Sequence, residues 1–141
     1  MENERFLQGD FLNGIRRLTM NREKVWLYCR IDKGGNMSEE LLETHRYRLE
    51  EYAAEHGLSI MGISRDIQNG INFDRPGLLE VNRAVEEHLV DIVLVFNLNR
   101  LCRHTEDMIR YWNFLKQNEV RLCTVADGFV NPIMDSGIAT A

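Results

Sequence analysis

The sequence predicts an α/β domain: a mainly parallel sheet of four to five strands with helices on both faces. Short runs of β-forming residues alternate with longer segments of helical periodicity, in the order β-α-β-α-β-α-β. The run Asp91-Ile-Val-Leu-Val-Phe96 is apolar on both faces, as a strand covered by helices from either side has to be. The 141 residues are 44% hydrophobic and 28% charged with only two prolines, a composition that suits one globular domain and excludes a disordered or collagen-like chain.

Residues 1–24 read as an N-terminal extension. Phe6, Leu7, Phe11, Leu12, Ile15 and Leu18 trace a rough helical stripe that Gly9 and Gly14 weaken, so the extension is expected to be helical and apart from a domain over 25–141. Residues 25–31 are short and rich in β-formers, a buried strand. Residues 32–36 form a glycine-containing loop. Ser38 is expected to cap a helix, with Glu39 and Glu40 in its first turn and Leu41 and Leu42 opening its apolar face. That helix runs to about residue 55, and Gly57 suits its C-terminal end. A second strand is expected over 58–64, then a long polar loop over 66–76, then a helix over 77–87. The strand at 91–96 follows. Thr105 is expected to cap a third helix that buries Met108, Ile109, Trp112, Phe114 and Leu115. Residues 120–125 form a fourth strand, and 127–141 a loop or tail.

The net charge is −5 and both halves of the chain are acidic, so no basic domain exists and any phosphate contact has to come from a local cluster. The strongest apolar run is far shorter than the ~20 residues of a membrane span. Met-Glu-Asn-Glu-Arg at the start is no secretory signal. Cys29, Cys102 and Cys123 are odd in number and widely spaced, which argues against a disulfide framework and a CxxC zinc site and fits a cytoplasmic protein with no membrane partner.

In open parallel sheets, ligands sit at the C-terminal ends of the strands. Arg30, Arg75, Arg100 and Arg103 all fall there. A guanidinium stays charged at any working pH and binds phosphate oxygens in pairs, so several aimed at one point would hold a phosphate and stabilise a pentavalent phosphorane. Read singly, the same arginines are solvated or salt-bridged side chains. Asp32 and Asp66 as metal-binding carboxylates of a phosphatase- or nuclease-like site are another reading, but the arginines would compete with the cation.

Four ordered blocks carry a family resemblance. Tyr28-Cys-Arg-Ile-Asp32 resembles the Tyr-Ala/Cys-Arg-Val-Ser signature of the serine recombinases, the resolvase/invertase family. Asp66 through Asp74-Arg-Pro-Gly-Leu78 is similar to that family's Asp…Asp-Arg-Pro-Gly-Leu loop. Asp91-Ile-Val-Leu-Val with Leu98-Asn-Arg-Leu-Cys-Arg103 resembles its third strand and Arg-Leu-x-Arg block, and 120–128 its strand ending in Asp-Asp-Gly. The resemblance implies the family's catalytic-domain fold and site-specific DNA recombination of a mobile-element kind. In that chemistry a serine attacks a DNA phosphodiester to give a phosphoserine link, with no metal and no other cofactor, and dimers assemble into tetramers on DNA. It implies Arg30, Arg75, Arg100 and Arg103 as DNA phosphate-binding and catalytic residues, Asp66 as the acid that organises the active-site loop, and a structural role for Asp91.

The departures bear on activity. Asp32 stands at the nucleophile position. A carboxylate there would give an acyl phosphate that hydrolyses, and its charge would pair with the arginines in place of phosphate. Ser38, six residues on, is the other hydroxyl nearby. His45 stands where many members have Gln, and Asn99 where many have Asp or Ser. The family's long dimer helix and DNA-binding domain are expected to be absent from 25–141. The expectation is a recombinase domain inactive in cleavage, with weak or no DNA binding alone, or a non-catalytic interaction or regulatory module on the same fold.

Overall fold

A computed structural model describes residues 22–32, 37–68, 75–102 and 104–130. The elements are β1 Lys24–Asp32, α1 Ser38–Glu55, β2 Ser59–Gln68, α2 Pro76–Glu86, β3 Ile92–Val95, a 3-10 turn Leu98–Arg100, α3 Thr105–Gln117, β4 Arg121–Thr124 and β5 Gly128–Phe129. The expected extension, except its last three residues, lies outside the described residues, as do Arg103 and the segments 33–36, 69–74 and 131–141.

The sheet order is β2-β1-β3-β4-β5, parallel except for the antiparallel β4–β5 pair. This is the α/β fold the alternating pattern predicts. Each face of the sheet carries a separate core. Val25, Leu27, Cys29, Ile31, Ile92 and Leu94 pack with Leu42, Leu49 and Ala53 of α1. Tyr28, Val93, Val95 and Leu122 pack with Val81 and Val85 of α2 and with Met108 and Leu115 of α3. Period-2 alternation along β1 therefore feeds both cores, and all four residues of β3 are buried. Cys29 lies in the first core, where burial raises its thiol pKa to about 12, so it is an inert packing residue.

Several boundaries differ from the sequence expectation. β2 runs on to Gln68, so Asp66 lies in a strand and not in the polar loop. Residues 65–68 pair in register with Cys29, Arg30, Ile31 and Asp32, and backbone pairing outweighs their polarity. Ser38 and Thr105 are the first helical residues, with Met37 and His104 at the cap positions, and neither cap position makes a side-chain cap bond. Gly128 and Phe129, expected in a tail, form β5. Of the expected buried side of α3, Met108 and Leu115 are buried while Ile109, Trp112 and Phe114 are half-buried. Gly57 follows α1 with φ +65°, the left-handed conformation that ends a helix at no steric cost to glycine.

Gly77 fixes how closely α2 meets β2. A Cβ at that position would stand 2.4 Å from the Arg65 carbonyl oxygen, a backbone atom that cannot turn away. Gly77→Ala therefore pushes the start of α2 off the sheet and costs about 1–3 kcal/mol, as overpacking does. A lowered midpoint of urea unfolding at unchanged slope is the expected result; an unchanged midpoint contradicts the close approach.

Candidate active site

The strand order turns at β1: the chain goes from β1 to β2 on one side, and β3 lies on the other. Crevices form at such switch points, beyond the C-terminal ends of the strands. Arg30 is near that end of β1, and Asn97 to Arg100 follow β3.

Arg30 belongs to the strand expected over 25–31. It lies inside β1 and is 3% exposed. Its Nε donates to the Arg100 carbonyl at 3.0 Å and its Nη2 to the Asn99 carbonyl at 2.5 Å. Its Nη1 donates to Asp32 Oδ1 at 2.9 Å. Asp32 is 54% exposed, so the pair has a buried cationic end and a wet anionic end. Residues 98–100 can offer two carbonyls because the 3-10 turn is held by Asn97, whose side chain accepts from the Arg100 N–H at 3.2 Å.

Arg75 immediately precedes α2. Its Nη2 donates to the Tyr28 hydroxyl at 2.9 Å, its Nε to the same oxygen at 3.2 Å, and Nη2 also reaches the Arg100 carbonyl at 3.4 Å. The Tyr28 hydroxyl in turn donates to Asp66 Oδ2 at 2.6 Å. Asp66 is 4% exposed and also accepts from the N–H groups of Gly77 at 2.8 Å and Leu78 at 3.0 Å. A carboxylate on the first-turn amides of a helix is favoured by the helix dipole and satisfies donors that have no intrahelical acceptor. Burial and the Asp66 bond raise the Tyr28 pKa, so the phenol keeps its proton for Asp66.

Arg30, Asp32, Asp66, Arg75 and Arg100 thus belong to one hydrogen-bonded network, although they come from four chain segments. Arg103 falls outside the described residues. Ser38 is buried in the first turn of α1. Asp91 sits at the opposite end of the sheet, where its Oδ2 accepts from the Lys24 N–H at 2.9 Å. Among the described residues no three His, Cys, Asp or Glu side chains come together as a metal site, and Asp66 is engaged by Tyr28 and α2. No described helix is long and apolar enough to cross a membrane.

No motif in the sequence assigns a role to Tyr28 or to the carbonyls of Asn99 and Arg100. Tyr28, Arg30 and Asp32 are two apart along β1, so the period of a strand was the available signal for Tyr28. Nothing in residue type marks a backbone carbonyl.

The cluster of arginines and carboxylates lies at the β1/β3 switch point, where open parallel α/β sheets hold their ligands. The family model for the resolvase N-terminal domain matches residues 25–137, and the chain belongs to that family, the serine recombinases. Solved structures agree. The C-terminal catalytic domain of ISC1926 TnpA, an IS607-like serine recombinase, is similar with a TM-score of 0.65 at 25% identity, over 83% of this chain and 79% of that one. A resolvase family site-specific recombinase from Streptococcus pneumoniae has the same fold with a TM-score of 0.70 at 23% identity, over 84% and 85%. The N-terminal catalytic domain of TP901-1 integrase has a TM-score of 0.63 at 24% identity, over 75% and 79%.

Proposed function

We propose that this is a recombinase catalytic domain whose phosphate site is held by its own Asp32 carboxylate, so that it engages DNA phosphate weakly and does not cleave. The observation that carries the reading is the 2.9 Å contact between Arg30 Nη1 and Asp32 Oδ1. That distance is usual for a charged N–H on an anionic oxygen, whether the oxygen belongs to a carboxylate or to a phosphate. In this reading Arg30, Arg75, Arg100 and Arg103 are the phosphate ligands, Asp66 positions Arg75 through Tyr28, and Asp32 is an internal substitute for the scissile phosphate.

In a cleaving recombinase the serine oxygen forms a bond to phosphorus and the 3′ oxygen of the DNA leaves with a proton. The phosphodiester so made keeps the bond energy, and the 3′ hydroxyl can attack it to reseal the strand. An Asp32 oxygen attacking in the same way would form a mixed anhydride. Water would cleave that anhydride and leave the strand broken. The carboxylate also repels the incoming phosphate before any attack. In this account the domain contributes the family's dimer or tetramer contacts and a DNA-facing surface. The second reading, a regulatory partner for an active recombinase, draws on the same pair, because a domain with a self-filled site can still assemble.

The test is covalent capture. The chain is incubated with supercoiled plasmid bearing a family-type site, with and without Mg²⁺, and quenched in detergent. No protein–DNA adduct is expected in either case. An adduct would assign the nucleophile elsewhere, and cleavage that requires Mg²⁺ would favour a carboxylate metal site.

A further inference from the structure

Arg75 stands at the start of α2, and the roll of that helix about its axis bears on where the Arg75 guanidinium points. The Leu79 N–H donates to the Arg75 carbonyl at 3.1 Å, so the Arg75 backbone belongs to the first turn and moves with the helix. A roll of about 10° displaces an atom about 5 Å from a helix axis by about 1 Å. The bonds from Arg75 to the Tyr28 hydroxyl are 2.9 and 3.2 Å long, and a shift of that size is enough to break them.

Two hydrogen bonds grip α2 from opposite flanks. The Ser64 hydroxyl of β2 donates to Glu80 Oε1 at 2.8 Å. The Tyr111 hydroxyl of α3 donates to Asn82 Oδ1 at 2.6 Å. Residues two apart on a helix stand about 200° from one another round its axis, so one bond pulls toward β2 and the other toward α3. Val81, between them, is fully buried. The apolar contacts of Val81 and Val85 set how high α2 sits on the sheet, but they tolerate rotation; a hydrogen bond has a direction and does not. The Ser64 end is itself fixed. Ser64 is 1% exposed and accepts from Trp26 Nε1 at 2.7 Å, and the Trp26 ring lies against Gly62, where a Cβ would collide with it. Asp66, two residues further along the same face of β2, holds the amides of Gly77 and Leu78 and so anchors the end of α2. A helix anchored only at its end can still turn.

We propose that Glu80, balanced by Asn82 on the other flank, is a positioning residue: it sets the roll of α2 and thereby aims Arg75 at the Tyr28 hydroxyl. Glu80 is exposed and belongs to neither apolar core, so its contribution is the bond to Ser64 rather than packing. It acts through Arg75. Without the Ser64 bond, the Tyr111 bond turns α2 toward α3 and Arg75 leaves the Tyr28 hydroxyl. The consequence for binding rests on the reading that Arg75 is a phosphate ligand; the aim of Arg75 does not.

The Arg75 Nε–H resonance of the full chain reads this aim, because that N–H donates to the Tyr28 hydroxyl. Glu80→Leu removes the acceptor of Ser64 and is expected to shift the resonance. In an Asp32→Ser background it is also expected to weaken binding of inorganic phosphate roughly threefold to tenfold, the worth of one hydrogen bond. Glu80→Gln keeps an acceptor for Ser64 and should leave the resonance in place and the affinity within about twofold. Ser64→Ala cuts the same bond from the other side and should reproduce Glu80→Leu. Asp91→Ala loses one exposed hydrogen bond at the opposite end of the sheet and should move neither readout. An unmoved Arg75 resonance in both the Glu80→Leu and the Ser64→Ala chains would overturn the proposal. So would an equal shift in the Asp91→Ala chain, which would reduce Glu80 to a general contribution to stability, or an equal shift in the Glu80→Gln chain. A moved resonance with unchanged phosphate affinity supports the role of Glu80 and removes Arg75 from the phosphate ligands, so the two readings fail separately.

Discussion

Asp66→Ala is expected to lower the melting temperature by roughly 10 °C or more. The substitution removes the acceptor of three hydrogen bonds at a position 4% exposed. Tyr28 and the amides of Gly77 and Leu78 would be left without acceptors inside the protein. Each such group costs about 1–3 kcal/mol, so a total of about 3–5 kcal/mol is reasonable after partial relaxation. A domain of this size loses about 2–4 °C per kcal/mol. The start of α2 also loses the negative charge that its dipole favours. Asp91→Ala serves as the comparison, because Asp91 accepts one exposed hydrogen bond from Lys24. It should shift the melting temperature by only a few degrees, on the order of 1 kcal/mol. Calorimetry of both variants decides the point. An Asp66→Ala protein that melts with the Asp91→Ala protein would show that Asp66 does not organise the site.

Asp66 also shows what the sequence could and could not convey. The fold class was legible because strand and helix periodicities alternate and because residues 91–96 are apolar on both faces. The arginines were legible as a group because a parallel sheet gathers its strand ends. The polar neighbours of Asp66 suggest a loop. Its place in β2 depends on pairing with Arg30 of β1, and pairing across 36 positions leaves no local trace. β5 is two residues long, too short for periodicity. By residue type alone, Arg30 is a solvated or salt-bridged cation near a strand end. It is buried because two carbonyls of the 3-10 turn receive its N–H groups, and only the folded chain brings them there. Asp32 is plain in the sequence, while its contact with Arg30 Nη1 is a property of the fold.

If the Asp32 carboxylate neutralises the phosphate site of this recombinase domain, Asp32→Ser unmasks that site. Serine removes the charge from Arg30 Nη1 and leaves the two carbonyl contacts that hold Arg30 in place. Asp32 is 54% exposed, so its removal opens the site without leaving a cavity. One contact between a guanidinium and an anionic oxygen is worth about 1–3 kcal/mol, so phosphate or a short oligonucleotide should bind about tenfold more tightly to the variant at low salt. The gain should shrink as salt rises, because an exposed carboxylate is screened. Isothermal titration of the two proteins side by side gives the answer. A roughly tenfold gain that fades with salt is expected; equal affinities at low salt would mean that Asp32 does not mask the arginines.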